Sequence, residues 1–130
     1  MNKKRILIID DEEDFCRMVK KSLELITDFE IVIATNGKKG IKAAKEIKPD
    51  LILLDIVMPG INGLEVLKRL KGHKNTMEAA IPVVMLTSRD DEACKIKSAQ
   101  LYDEEYITKP IEAPDLKAKI EEVFRRIGVR

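Results

Sequence analysis

Asp10 and Asp11 follow the apolar run Ile6-Leu7-Ile8-Ile9, and Asp55 follows Leu51-Ile52-Leu53-Leu54. Thr87 and Ser88 follow Val83-Val84-Met85-Leu86, and Lys109-Pro110 follows Tyr106-Ile107-Thr108. Each polar group stands where an apolar run stops. In an open parallel sheet, ligands gather beyond the carboxyl ends of the strands, and right-handed crossovers bring those ends to one edge. Three carboxylates, a hydroxyl and an ammonium then share one pocket. Clustered carboxylates repel one another unless a cation neutralises them. Mg²⁺ takes one or two carboxylates in an octahedral oxygen shell and keeps waters and a phosphoryl oxygen in the remaining positions, so Asp10, Asp11 and Asp55 suit that ion. A carboxylate in such a site can also act as a nucleophile and form an aspartyl-phosphate, with Lys109 and Thr87 placing charge and a hydroxyl around the phosphoryl oxygens. Taken singly, each feature has an ordinary reading: an Asp-Asp pair capping a helix, an Asp ending a strand, a Lys-Pro turn. Their convergence favours the site.

The elements that must position these groups alternate along the chain. The runs Arg5–Ile9, Glu30–Ala34, Leu51–Asp55, Pro82–Leu86 and a weaker Tyr106–Thr108 read as strands. The first, third and fourth lack polar alternation, so they are the central strands, covered on both faces. Helical spacing links Phe15, Met18, Val19, Leu23 and Ile26, then Ile41, Ala44 and Ile47, then Leu64, Leu67 and Leu70. Ile96 and Ala99 mark a shorter fourth helix, and Leu116, Ile120, Val123, Phe124 and Ile127 a fifth, with Pro114 in its first turn and Gly128 at its end. The longest loop is Gly72–Ala80. The pattern predicts five βα units in one layered α/β domain over residues 1–130.

Composition narrows the classes further. A chain of 130 residues with 45% hydrophobic and 36% charged residues resembles an ordered globular protein. Its 24 basic and 23 acidic side chains leave a net charge of +1, too balanced for a broad electrostatic footprint on nucleic acid or an anionic membrane. No segment approaches the roughly 20 apolar residues of a membrane span. Asp10 interrupts the first apolar run before it reaches signal-peptide length. Cys16 and Cys94 form neither a metal motif nor a disulfide framework, and a reducing cytoplasm is the expected setting.

In the segments ILIIDDEED, LILLDIVMPGINGLEVL, IPVVMLTS and YITKP, in that order and spacing, the chain resembles the receiver domain of two-component response regulators. The resemblance implies a flavodoxin-like (βα)₅ fold, a doubly wound parallel five-stranded sheet of order 2-1-3-4-5. It implies that Asp55 is the phosphoacceptor, that Asp11 ligates Mg²⁺ directly and Asp10 largely through water, and that the Val57 carbonyl is a further ligand. Thr87 is then the switch hydroxyl, Lys109 the phosphoryl-binding cation, and Tyr106 the aromatic that turns inward when Thr87 moves. The Lys109–Pro110 peptide is expected to be cis, and Pro59, Gly60 and Gly63 match the loop after the acceptor. Implied partners are a sensor histidine kinase or a histidine phosphotransfer protein, and a downstream protein target or effector domain. The domain itself is expected to bind neither nucleic acid nor membrane. Homodimerisation through the fourth helix, fifth strand and fifth helix is a habit of the family that the sequence does not decide.

The chain departs from the family pattern at Tyr102 and Asp103, where Gly-Ala is common. Without that small residue, the end of the fourth helix and the output face around it are less transferable. Val57 and Arg89, two residues after Asp55 and Thr87, offer no side chain that activates a water, so slow self-dephosphorylation is expected. A Mg²⁺-dependent phosphohydrolase with an aspartyl nucleophile is the rival enzyme reading. Its usual first-strand DxD is replaced here by Asp10-Asp11-Glu12. A receiver-like binding module that never takes phosphate would not need the full set of Asp10, Asp11, Asp55, Thr87 and Lys109. A flavin-binding protein would need a phosphate loop after the first strand, which is lacking. His73 reads as a surface-loop residue, Met58 and Met85 as packing, and Glu12 to Asp14 as a solvated helix start.

Overall fold

The computed structural model describes residues 3–72, 76–87 and 105–128. The expected fourth helix at Ile96 and Ala99 lies outside these residues, as do His73, Arg89, Cys94, Tyr102 and Asp103. Five parallel strands form one sheet: β1 (Arg5–Ile9), β2 (Glu30–Ala34), β3 (Leu51–Asp55), β4 (Val83–Thr87) and β5 (Glu105–Thr108). Their order is β2-β1-β3-β4-β5, as expected. The described helices are α1 (Glu13–Ile26), α2 (Gly37–Ile47), α3 (Gly63–Lys71), α4 (Met77–Ala80) and α5 (Ala113–Arg126).

Strand alternation sorts the core into two layers. Ile6, Ile8, Leu51, Leu53, Val84, Leu86 and Ile107 meet Cys16, Val19 and Leu23 of α1 and Leu116, Ile120, Val123 and Phe124 of α5. Leu7, Ile9, Ile52, Leu54, Val83 and Met85 meet Ala44 of α2 and Val66, Leu67 and Leu70 of α3. Every side chain of β3 is buried, which is why its run carries no polar alternation.

Local chemistry sets the ends of the elements. Asn36 and Asn62 cap α2 and α3, their side chains accepting the Lys39 and Glu65 N–H groups at 2.8 and 3.0 Å. Pro114 occupies the first turn of α5, and Gly128 follows that helix with φ +82°. Three boundaries differ from the sequence expectation. β4 runs from Val83 to Thr87 rather than from Pro82 to Leu86, and β5 begins one residue earlier, at Glu105. The expected loop Gly72–Ala80 contains the single turn α4, started by the Thr76 hydroxyl accepting the Ala79 N–H at 3.3 Å.

The edge strand β2 is finished by side chains of α1. Glu30 donates its N–H to Lys4 on the β1 side, so Ile31 turns its own N–H and carbonyl outward. Glu24 Oε2 accepts that N–H at 3.0 Å, and Lys20 Nζ donates to the carbonyl at 2.8 Å while pairing with Glu24.

Candidate phosphoacceptor site

Asp10 and Asp55 are carried to the carboxyl edge side by side, because Ile9 and Leu54 are partners in the β1–β3 register. One carboxylate oxygen from each of Asp10, Asp11 and Asp55 lies within 4.8 Å of the others. Asp10 and Asp55 are buried, and Asp11 is partly exposed. Both oxygens of Asp10 are held: Oδ1 accepts the Glu12 N–H at 2.9 Å, and Oδ2 accepts from Lys109 Nζ at 2.6 Å. Asp55 Oδ1 meets the same ammonium only as an ion pair at 3.7 Å.

The electrostatics follow from this crowding. Burial, and then the Asp10 charge, push the Asp55 carboxyl up from 3.8 to about 7, against the opposing pull of Lys109. Lys109 is held above its ordinary value: its hydrogen bond to Asp10 and the surrounding carboxylates outweigh burial, the largest single effect, which opposes them. The donor set is all oxygen, and one ammonium does not balance three carboxylates. That combination fits a hard divalent cation such as Mg²⁺, with Asp10, Asp11 and Asp55 able to hold it.

Two glycines set the course of the loop after β3. Gly63 donates its N–H to the Ile56 carbonyl at 2.7 Å, and a Cβ at Gly63 would stand 2.1 Å from the Asp55 carbonyl oxygen, so no side chain fits. Gly60 adopts φ +77°, a left-handed conformation open to glycine at little cost. Val57 is 59% exposed, whereas Met58 is buried in the α2–α3 layer, as its packing role requires.

Thr87 is buried at the end of β4, and its carbonyl accepts the Lys109 N–H at 2.6 Å. In the β4–β5 register Met85 faces Tyr106 and Thr87 faces Thr108, so Thr87 and Tyr106 share one side of the sheet. Tyr106 is half-buried against the α2–α3 layer. The Lys109–Pro110 peptide is cis. Arg89 lies outside the described residues.

Two features went unread in the sequence. Glu12, expected as part of a solvated helix start, is exposed there but also sends its carboxylate to Lys109 Nζ at 3.1 Å and makes no side-chain cap to α1. The sequence offers one weak signal for it, a third acidic residue directly after Asp10-Asp11. Cys16 lies beneath the site and donates Sγ–H to the Asp10 carbonyl at 3.4 Å, with burial pushing its thiol up to about 12. Nothing in its spacing marks that contact.

Residues 6–121 match the family described as the response regulator receiver domain. The alkaline phosphatase synthesis transcriptional regulatory protein PhoP of Bacillus subtilis is 36% identical over 126 residues, covering 97% of this chain and 50% of that protein. The phosphate regulon transcriptional regulatory protein PhoB of Pseudomonas aeruginosa is 38% identical over 125 residues, covering 96% and 53%. The chain thus spans about half the length of these curated relatives. Among solved structures, a CheY-like response regulator receiver domain protein from Methanospirillum hungatei superposes with a TM-score of 0.85 at 27% identity, covering 96% of each chain. A putative response regulator from Chloroflexus aurantiacus also reaches 0.85, at 25% identity and 95% and 99% coverage. With the sheet order, the acidic edge and the family match in agreement, the chain belongs to the response regulator receiver domains, which act as phosphorylation-dependent switches.

Proposed function

We propose that residues 1–130 form one receiver domain that accepts a phosphoryl group on Asp55 from a partner phosphohistidine. One observation carries the choice of acceptor. Both Asp10 oxygens are engaged in hydrogen bonds, whereas Asp55 meets Lys109 at 3.7 Å, outside hydrogen-bond reach, which favours an Asp55 carboxylate oxygen as the attacking group. That oxygen attacks phosphorus, the P–N bond breaks, and its electron pair leaves on the imidazole nitrogen. Asp10, Asp11, Asp55 and the Val57 carbonyl would hold Mg²⁺, which supplies positive charge to the site when bound. Lys109 donates to a phosphoryl oxygen, and the Thr87 hydroxyl donates to another. As Thr87 moves toward the phosphoryl group it frees room for the Tyr106 ring, biasing a two-state equilibrium of the surface around β5.

The phosphodonor is a sensor histidine kinase or a histidine phosphotransfer protein. The output passes to a downstream protein or effector domain rather than from this domain to nucleic acid, and self-association through β5 and α5 is one route for it. The relatives named above are transcriptional regulators, which supports an output of that kind. The domain is a cytoplasmic signalling switch that turns over no external substrate. Among the described residues no helix is long and apolar enough to cross a membrane. Neither Val57 nor Arg89 carries a side chain that activates water, which supports a slow decay of the aspartyl-phosphate.

Intact-mass measurement after incubation with acetyl phosphate tests the assignment. The parent gains one phosphoryl group only when Mg²⁺ is present, and Asp55→Asn gains none. Labelling of the same site in the variant, or labelling indifferent to chelator, overturns it.

A further inference from the structure

The Lys109 ammonium is gripped by one short segment of chain. Asp10 accepts from it at 2.6 Å, Glu12 accepts at 3.1 Å, and the Phe15 ring lies 4.4 Å below it in a cation–π contact. Asp55 stands outside this grip at 3.7 Å. Glu12 is the residue that precedes α1, and its side chain forgoes capping the helix. Its carboxylate is 64% exposed while the Lys109 side chain is 13% exposed, so Glu12 reaches in from solvent to hold a nearly buried cation.

We propose that Glu12 is a positioning residue: in the unmodified protein it draws the Lys109 ammonium toward the start of α1 and away from Asp55, and so sets how readily that ammonium is released to an incoming phosphoryl group. This inference rests on Asp55 being the acceptor. An ammonium has three donors. Asp10 and Glu12 take two of them, and bringing the third within reach of a phosphoryl oxygen on Asp55, whose carboxylate stands 3.7 Å away, draws the ammonium off the start of α1; of the two bonds it would strain, the Glu12 bond is the longer and the more exposed. Glu12 therefore favours the unmodified arrangement without touching the reacting atoms.

The test uses the full chain with Glu12→Gln, and Glu13→Gln as a control of equal charge change at a neighbouring exposed residue. With acetyl phosphate at fixed Mg²⁺, Glu12→Gln speeds phosphorylation about two- to fivefold, the range of an exposed charge pair, and Glu13→Gln gives less than half that gain. Equal gains from the two variants, or none from Glu12→Gln, overturn the proposal in favour of simple charge removal or no role. A second readout needs neither metal nor phosphoryl transfer. The Lys109 Nζ resonance of metal-free protein shifts, and its protons exchange faster, in Glu12→Gln but not in Glu13→Gln. An unchanged resonance overturns the grip itself, even if Asp55 is labelled as expected. A changed resonance in a protein that Asp55 labelling shows to be inert would instead fault the acceptor assignment.

Discussion

The two ends of the sheet handle charge in opposite ways. At the amino end Arg5 pairs with Glu30 at 3.4 Å, with both side chains 47% exposed, and its own N–H is accepted by Asp50 at 2.8 Å. At the carboxyl end Lys109 pairs with Asp10 at 2.6 Å, and that carboxylate is fully buried. Water screens the first pair and leaves it worth little, while the second lies where the effective dielectric is lower and every charge weighs more. One end is a solvated seam. The other carries more negative charge than its one ammonium balances, an excess that suits a hard divalent cation and supports the acceptor role proposed for Asp55.

The largest way to disturb this contrast is steric. Gly63→Ala would place a methyl group 2.1 Å from the Asp55 carbonyl oxygen and 2.7 Å from the Ile56 Cα. Backbone cannot step aside as a flexible side chain does, so the expected loss is about 3 kcal/mol in urea unfolding, with weakened Mg²⁺ binding. A variant within about 0.5 kcal/mol of the parent would show that the loop after β3 is free to shift.

Next comes pH. Because the Asp55 carboxyl is raised from 3.8 to about 7, the folded protein binds a proton in that window that the unfolded chain has released. Stability of the metal-free protein from this group is therefore full below 3.8 and lost as pH rises toward 7. Thermal unfolding in chelator should show the parent losing stability between about pH 4 and 7. Asp55→Asn should flatten that slope and be more stable by about 1–3 kcal/mol at pH 8. Added Mg²⁺ stabilises the parent more than the variant. A parent that gains stability across this range from Asp55 would contradict the crowding described above.

The smallest effect is expected at the amino end. Glu30→Gln removes the ion pair with Arg5 and should change stability by less than about 0.5 kcal/mol. A larger loss in urea unfolding would mean that the seam is not the solvated contact its exposure indicates.

Much of this was legible in the residues because the strands are unbroken apolar runs closed by charge. β1, β2 and β3 start and stop where the sequence indicates, since a polar residue bounds each run. The β4 boundary shifts by one because Pro82 lacks an N–H; it contributes only a carbonyl, accepting from Ile52 at 3.0 Å. β5 gains Glu105 because it pairs with Val84 in the β4–β5 register, and Lys119 and Arg126 of α5, 14 and 21 positions away, hold its carboxylate, contacts that no strand pattern displays. α4 is a single turn, too short to show a helical period. In the site, Asp10, Asp11, Asp55, Thr87 and Lys109 stand out because each ends an apolar run. Glu12 does not, since what gives it meaning is a lysine 97 residues away.

The Lys20–Glu24 pair on the outer side of β2 has a consequence for the solution behaviour of the chain. An edge strand is a growth front: its unpaired N–H and carbonyl groups invite a passing strand to dock and extend the sheet. Here the α1 side chains occupy both groups of Ile31, as the first rung of a sixth strand would. The Ile31 N–H in turn holds the Glu24 carboxyl below its ordinary value, which favours the charged form of that rung. At Ile31, then, the edge offers no free pair of groups for a docking strand to take.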